Sequence, residues 1–556
     1  MSAQLTFNLL KLILSLSKDR TITKPIIETK PEKIKVRTKE DDLVIFDDGL
    51  KDKYDSFISE CETDDSIYLN RMLIHHDGKL VYKYAKEPYD LNSYNYCFSL
   101  TKSIIGLGIG LLYDEKKIKL NDKVYKIFFP HSIPTNLNST KITVKHLLTM
   151  STGSKFNEAS SAVSKEWIKD FFNEGNKFKI GTGFDYNSIN SYILSALIDK
   201  LSGTTIEEYL KTKLFNPLDI TDYIFEKSPE GIEKGGWGIY LSPYDMAKFG
   251  LLIENNGVYN NKRIVSEKWI NMMTDSQNPV KMKGQDYDYG YQIWTNKENN
   301  IVQLNGLFNQ DVIIYKNTGY VITICCANND CFHTNNILNI AKKYFNTLED
   351  IKYPYFRKNN EYSDSSLMPL ISPLFNNKYE LKKNKQGYDT TILPIVIQTC
   401  LNEYSTGLKS INIKENKKDY SIKFKEEKES YSINFNFDNY TRQILNLYGN
   451  TYDVSVKGYL RMEDSSECYL LIKVAFLEFA SVRYLKISKV ASKDEIELRF
   501  KENPGLNFME SLIYIQDQKT IKFIEKTTNR IGEENVLNKV TDFLYPYLRM
   551  TLKNKK

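Results

Sequence analysis

Ser99 and Lys102 stand three residues apart in Ser99-Leu100-Thr101-Lys102, and an apolar run, Ser103 to Leu112, follows. On a helix this spacing puts both side chains on one face. A serine hydroxyl is a poor nucleophile at neutral pH. A lysine in an apolar pocket sheds its proton more readily, and the neutral amine can take the hydroxyl proton. Chance alone produces such a tetrapeptide in most chains of this size, so its meaning rests on its company.

A serine–lysine pair needs a second proton relay, an oxyanion hole and a wall for the substrate. Tyr186 lies in Gly183-Phe184-Asp185-Tyr186-Asn187-Ser188, at a loop end before a predicted helix. A tyrosine hydroxyl near an ammonium can shuttle a proton to a leaving group. Tyr186 is also one of 39 tyrosines, and simple packing would explain it equally. Leu304-Asn305-Gly306-Leu307 falls on or beside a late strand. A glycine there lets a substrate approach the backbone, whose N–H groups can face an oxyanion; a bulge is the plainer explanation.

The elements that must position these residues follow from periodicity. Ile67 to Ile74 and Leu80 to Tyr84 alternate like strands around His76-Asp77-Gly78, a hairpin turn signal. The two histidines there, His75 and His76, are expected to face solvent. Residues 112–235 read as mostly helical, with an amphipathic helix from Ile189 to Leu201 ending at Gly203, and another helix runs from Pro243 to Glu254. Tyr289 to Trp294, Ile301 to Leu304, Asp311 to Tyr315 and Tyr320 to Ala327 read as successive strands, and Thr334 to Tyr344 as a helix. Strands early and late with helices between predict an antiparallel sheet closed from both ends, with an inserted helical subdomain. Gly106-Leu107-Gly108-Ile109-Gly110 follows a helix start rather than a strand, so it reads as close helix packing, not a nucleotide loop.

The chain has 556 residues, which predicts two or three domains. Residues 1–60 are expected to form an N-terminal helix (Met1 to Ser17) and a charged arm without strong period. The segment that carries these candidate residues is expected over 61–350, a linker over 351–375, and a β-rich domain over 376–556, closed by a helix near Glu533 to Leu544. The 41% hydrophobic and 26% charged residues describe a globular chain rather than a disordered one. A net charge of +6 with no basic block argues against a nucleic-acid partner. Seven cysteines without metal-ligand spacing read as buried reduced thiols, so no metal or cofactor is expected. Without a clear signal peptide or membrane span, a cytoplasmic protein is expected. Residues 1–20 carry an apolar face at helical spacing. That face reads as packing on the protein's own surface or, alternatively, as a weak membrane-surface anchor.

Taken in order, Ser99-Leu100-Thr101-Lys102-Ser103, Val144-Lys145-His146-Leu147-Leu148-Thr149-Met150-Ser151-Thr152-Gly153, Tyr186-Asn187-Ser188, Leu214-Phe215-Asn216-Pro217-Leu218 and Gly236-Trp237-Gly238 through Gly250 resemble the serine β-lactamase and penicillin-binding protein superfamily. The match is to its broad β-lactamase-related hydrolases, among them class C β-lactamases, esterases and 6-aminohexanoate-dimer hydrolases. The resemblance runs over residues 65–345. It implies an α+β fold of the β-lactamase/transpeptidase type; the C-terminal mostly-β domain is read separately, from alternation such as Ile411/Ile413, Tyr420/Ile422/Phe424 and Tyr452/Val454/Val456. It implies Ser99 as the acylated nucleophile, Lys102 as proton acceptor or electrostatic partner, and Tyr186 as proton-transfer assistant; which of the two is the base stays open. It also implies the N–H groups of Ser99 and Leu307 as the oxyanion hole, with Gly306 and Ser188 lining the substrate site. Two departures stand out. Leu304 replaces the cation of the third motif, and Ser188 replaces the asparagine of the second. Both favour small ester or amide substrates without the carboxylate that such a cation holds. The alternatives are a penicillin-binding protein or β-lactamase, and a non-catalytic binding or assembly module retaining the fold.

Overall fold

Alternation along the strands sorts the side chains of the first unit into two apolar layers. The computed structural model describes residues 45–553 except 162–163, 281–286, 329–335, 348–362, 382–391, 402–404, 406, 418, 464–466, 480, 491–492 and 506–545. The described residues form two compact units, one over 45–347 and one over 363–553. The expected helices at 1–17 and 533–544 lie outside the described residues.

In the first unit, helix α1 (Lys51–Thr63) precedes a hairpin of β1 (Leu69–His76) and β2 (Lys79–Ala85). Asp77 and Gly78 both have positive φ, as a tight two-residue hairpin turn requires. Helices α2 (Thr101–Asp114), α3 (Ser188–Ser202) and α4 (Pro243–Glu254) follow among shorter turns. Then come β3 (Asp288–Tyr289), β4 (Trp294–Asn296), β5 (Ile301–Gly306), β6 (Gln310–Tyr315), β7 (Tyr320–Cys326) and helix α5 (Asn336–Phe345). The sheet order is β2-β1-β7-β6-β5-β4-β3, antiparallel throughout. β1 pairs with β7, so the two ends of the segment close one sheet around the inserted helices.

Val302, Leu304, Val312, Ile314 and Val321 face the helical layer. Ile301, Ile313, Tyr315, Ile322 and Ile324 face α1 and α5. In the helical layer every residue of α2 from Thr101 to Leu112 is buried, as is every residue of α3 from Ser188 to Ile198. The α2 glycines permit this. A Cβ on Gly108 would stand 2.8 Å from Ile198 of α3, and one on Gly110 2.3 Å from the Trp269 ring. The glycine run is thus a packing surface.

Three expectations need correction. The charged arm contains α1, whose Tyr54, Phe57, Ile58 and Cys61 pack on Ile337, Ala341 and Phe345 of α5. That stripe is a helical face, obscured by the charges around it. His75 is buried rather than solvent-facing, and burial lowers its pKa to about 4; His76 stacks on Tyr320 at 4.1 Å between ring centres. The stretch Tyr289 to Trp294 is not one strand. Gln292 has φ +62° and turns the chain between β3 and β4. Its buried amide donates to the Leu147 (3.0 Å) and Leu148 (3.2 Å) carbonyls and accepts from the Ser191 hydroxyl.

The second unit starts with helical turns at Ser365–Leu367, Met368–Ile371 and Ser372–Leu374. Ten strands follow: β8 (Asn377–Leu381), β9 (Leu408–Asn416), β10 (Asp419–Glu426), β11 (Ser430–Phe435), β12 (Thr441–Leu447), β13 (Asn450–Glu463), β14 (Glu467–Phe476), β15 (Ser481–Lys489), β16 (Glu495–Asn503) and β17 (Tyr547–Leu552). Their antiparallel order is β11-β10-β9-β8-β17-β16-β15-β14-β13-β12. The sheet rolls until its edges meet. There the Gln443 amide of β12 accepts from the Asn434 N–H (3.0 Å) and donates to the Asn434 carbonyl (2.8 Å). One side chain thereby takes the place of a backbone ladder, and the unit is barrel-like. Alternate residues such as Ile411, Ile413, Ile422, Phe424, Val454 and Val456 fill its inside.

Candidate active site

The site is built where the chain leaves a short strand, Asn95–Tyr96, and enters α2 through the helical turn Phe98–Leu100. Phe98 has φ +48°, a left-handed conformation that costs a non-glycine residue about 1–3 kcal/mol. Aromatic packing holds it there, edge-on to Tyr96 (4.6 Å) and Phe308 (5.3 Å). The bend leaves Ser99 half-exposed between the buried Phe98 and Leu100.

Lys102 sits on the first turn of α2 and is 1% exposed. Its Nζ lies 2.7 Å from Ser99 Oγ and 2.8 Å from the Gly236 carbonyl oxygen. The amine also stands 4.7 Å from the centre of the Tyr186 ring. Burial pulls its pKa down to about 7, and Glu158 opposes that shift. Gly236 must be a glycine, because a Cβ would stand 2.6 Å from the Ser188 carbonyl oxygen.

Each residue of Tyr186-Asn187-Ser188 has a separate task at the head of α3. The Tyr186 ring stacks on Trp294 at 5.5 Å and meets Tyr289 edge-on at 6.0 Å. Burial raises its phenol, while hydrogen bonds with Ser99 and Trp294 act the other way. Asn187 caps α3 by accepting from the Ile189 N–H (2.9 Å), and its amide donates to the Ser154 (3.3 Å) and Phe156 (2.8 Å) carbonyls. Ser188 is buried and donates its N–H to the Glu158 carboxylate at 2.6 Å.

The third segment arrives from the sheet. Gly306 ends β5 against the backbone before the serine, where a Cβ would stand 2.3 Å from the Cys97 carbonyl oxygen. This contact places the strand end and the half-buried Leu307 beside the Ser99 turn. Leu304 is fully buried in the helical-layer core, so an apolar side chain stands where the resemblance expects a cation.

The fold thus brings Ser99, Lys102, Tyr186, Ser188 and the Gly306-Leu307 strand end together. Residues 71–337 match a family model described as Beta-lactamase. They belong to the serine β-lactamase and penicillin-binding-protein-like family. Two curated relatives of this β-lactamase-family segment are similar in sequence. Penicillin-binding protein 4* of Bacillus subtilis (strain 168) is 24% identical over 234 residues, 38% of this chain and 49% of that protein. The teichoic acid D-alanine hydrolase of Staphylococcus aureus (strain MRSA252) is 25% identical over 295 residues, 47% of this chain and 67% of that protein. The chain spans about half the length of the penicillin-binding proteins it matches. Among solved structures, FmtA from Staphylococcus aureus aligns over 59% of this chain and 97% of its own, with 20% identity and a TM-score of 0.44.

Sequence reasoning missed Glu158, Trp294 and the Phe98–Phe308 pair in this β-lactamase-family site. Glu158 carries no local motif; the Asn187 clamp on the 154–156 backbone brings its loop to the head of α3. His146 is half-exposed, and its ring accepts from the Thr143 N–H (3.2 Å) to complete the cap of a short helix. Among the described residues no group of three His, Cys, Asp or Glu is placed to hold a metal, and no helix is long and apolar enough to cross a membrane.

Proposed function

We propose that the β-lactamase-family unit is a serine hydrolase that cleaves ester or amide bonds through an acyl group on Ser99. The observation that carries this reading is the 2.7 Å contact between Ser99 Oγ and a fully buried Lys102 whose pKa falls to about 7. A lysine in that state has a substantial neutral fraction at neutral pH and can take the hydroxyl proton as Oγ attacks the carbonyl carbon. Tyr186 is kept a phenol by burial, which favours Lys102 as the base and Tyr186 as a proton donor. The oxyanion is received by the Ser99 and Leu307 N–H groups. The proton held by Lys102 then passes to the leaving alcohol or amine, directly or through Tyr186. Water attacks the acyl-Ser99 carbonyl by the same route in reverse, releasing the acid and restoring the hydroxyl.

Leu304 lies in the core and offers no cation, so the preferred substrates are small esters or amides lacking a carboxylate at that end. The relatives' names support a second reading, a penicillin-binding protein, and the same Leu304 counts against it. A fluorophosphonate probe should label wild type but not Ser99→Ala. A panel of activated esters and amides should be turned over by wild type, and a fluorescent penicillin should be retained weakly or not at all. Strong penicillin retention with no ester or amide turnover would replace the first reading by the second. Neither labelling nor turnover in a folded protein would leave a non-catalytic binding module.

A further inference from the structure

We propose that Asp311 is a positioning residue for acyl transfer at Ser99, bracing from the far face of the sheet the strand end that presents Leu307. The inference rests on the hydrolase reading above. Asp311 is the second residue of β6 and is fully buried. By the alternation of β6 it shares the face of Ile313 and Tyr315, away from the helical layer that holds Ser99 and Lys102. It therefore cannot touch a substrate, and any effect on the reaction must pass through the backbone of β5.

The hydrogen bonds show the route. Asp311 Oδ1 accepts from the Asn305 side-chain amide at 2.7 Å and, at 3.4 Å, from the Gly306 N–H. Asp311 Oδ2 accepts from the Asn309 amide at 2.8 Å. One carboxylate thus holds both sides of the Leu307-Phe308 turn. Asn309 in turn accepts from Asn328 (2.9 Å), which accepts from the Tyr68 N–H (2.7 Å) at the entrance to β1. The groups bonded to Asp311 are N–H donors, a set that suits an acceptor-only carboxylate and opposes the burial that raises its pKa to about 7. An asparagine there would turn its own NH₂ against one of them.

The turn itself needs holding. Phe308 and Asn309 have φ of +62° and +61°, left-handed conformations that favour glycine. Asn309 is fixed by Asp311, and Phe308 is buried edge-on against Phe98. Phe98 is itself left-handed and immediately precedes Ser99. The two proposed oxyanion donors, the N–H groups of Ser99 and Leu307, therefore each adjoin a strained phenylalanine, and the two rings pack on each other. Gln310 adds a second tie: it donates to the Phe308 carbonyl (3.2 Å) and accepts from Asn95 (2.9 Å), on the strand that leads to the serine.

The test is pre-steady-state acylation by an activated ester, with the reactive Ser99 in each preparation titrated by a fluorophosphonate. Asp311→Asn should slow acylation per titrated site by about 10- to 100-fold with KM within about twofold of wild type. Asn305→Ala, at a half-exposed position, removes one donor and should slow it by roughly 10-fold; it carries the test if Asp311→Asn does not fold. Wild-type acylation per titrated site in both variants, or a loss confined to the number of titratable sites, overturns the proposal. A wild type that neither labels nor turns over overturns the hydrolase reading as well.

Discussion

Lowering the pH below 7 should switch the site off through Lys102. Its pKa of about 7, set by complete burial beside Ser99, makes about half of it neutral at pH 7, about a tenth at pH 6 and about a hundredth at pH 5. If the neutral amine is the base, kcat/KM at pH 5 is roughly 50-fold below its value at pH 7. Burial raises Tyr186, so its ionisation adds no acid limb. Burial also raises Asp311 to about 7, so the limb assigned to Lys102 is the one that persists in Asp311→Asn. The same environment fixes the effect on stability. Between about pH 7 and the ordinary lysine value of 10.5 the folded chain binds fewer protons at Lys102 than the unfolded chain, so this residue's contribution to stability rises with pH across that interval. Lys102→Met should therefore be at least as stable as wild type near pH 7, lose that part of the pH dependence, and lose about 10²- to 10⁴-fold in acylation. The assay is kcat/KM for an activated ester from pH 4.5 to 9, with circular dichroism at each pH to verify folding and a parallel thermal melt. An acid limb well below pH 6, or a folded Lys102→Met that still acylates at the wild-type rate, refutes the reasoning.

Glu158 raises the pKa of Lys102, so Glu158→Gln should move the acid limb of the same profile to lower pH; an unmoved or raised limb counts against its role. Gly110→Ala would press a methyl group to 2.3 Å from the Trp269 ring and should cost about 1–3 kcal/mol in urea unfolding, with acylation per folded molecule retained. His75 is buried with a pKa near 4, below its ordinary 6.5. Its contribution is complete above pH 6.5 and declines as pH falls toward 4, by up to about 3 kcal/mol. His75→Gln should flatten the melting temperature over that range, and an unchanged slope would contradict the assignment.

The parts of the site legible in the sequence are those set by local spacing. Ser99 and Lys102 are one helical turn apart, so their contact needs only the turn and helix that hold them. Tyr186 and Gly306 carry no such local signal; they stood out because their order along the chain resembles a family. Glu158 and Asp311 were illegible because their meaning lies in partners far along the chain or across strands, the Ser188 N–H for one and the Asn305 amide for the other. The strands of the second unit were readable from alternation, since one face is buried and the other wet. The closure of that sheet was not, because it depends on the Gln443 side chain reaching the Asn434 backbone. Helix α1 was missed for a third reason: its four buried apolar residues are spread among charges, and only α5 shows which face they serve.

The central claim is that Ser99 carries the acyl group. The most direct measurement is intact-mass and peptide-mapped mass spectrometry of the full chain, quenched in acid during turnover of an activated ester. The account predicts one added acyl mass on the peptide containing Ser99, absent in Ser99→Ala and lost with time as water releases it. Turnover with no adduct on Ser99, or an adduct that persists in Ser99→Ala, would contradict it.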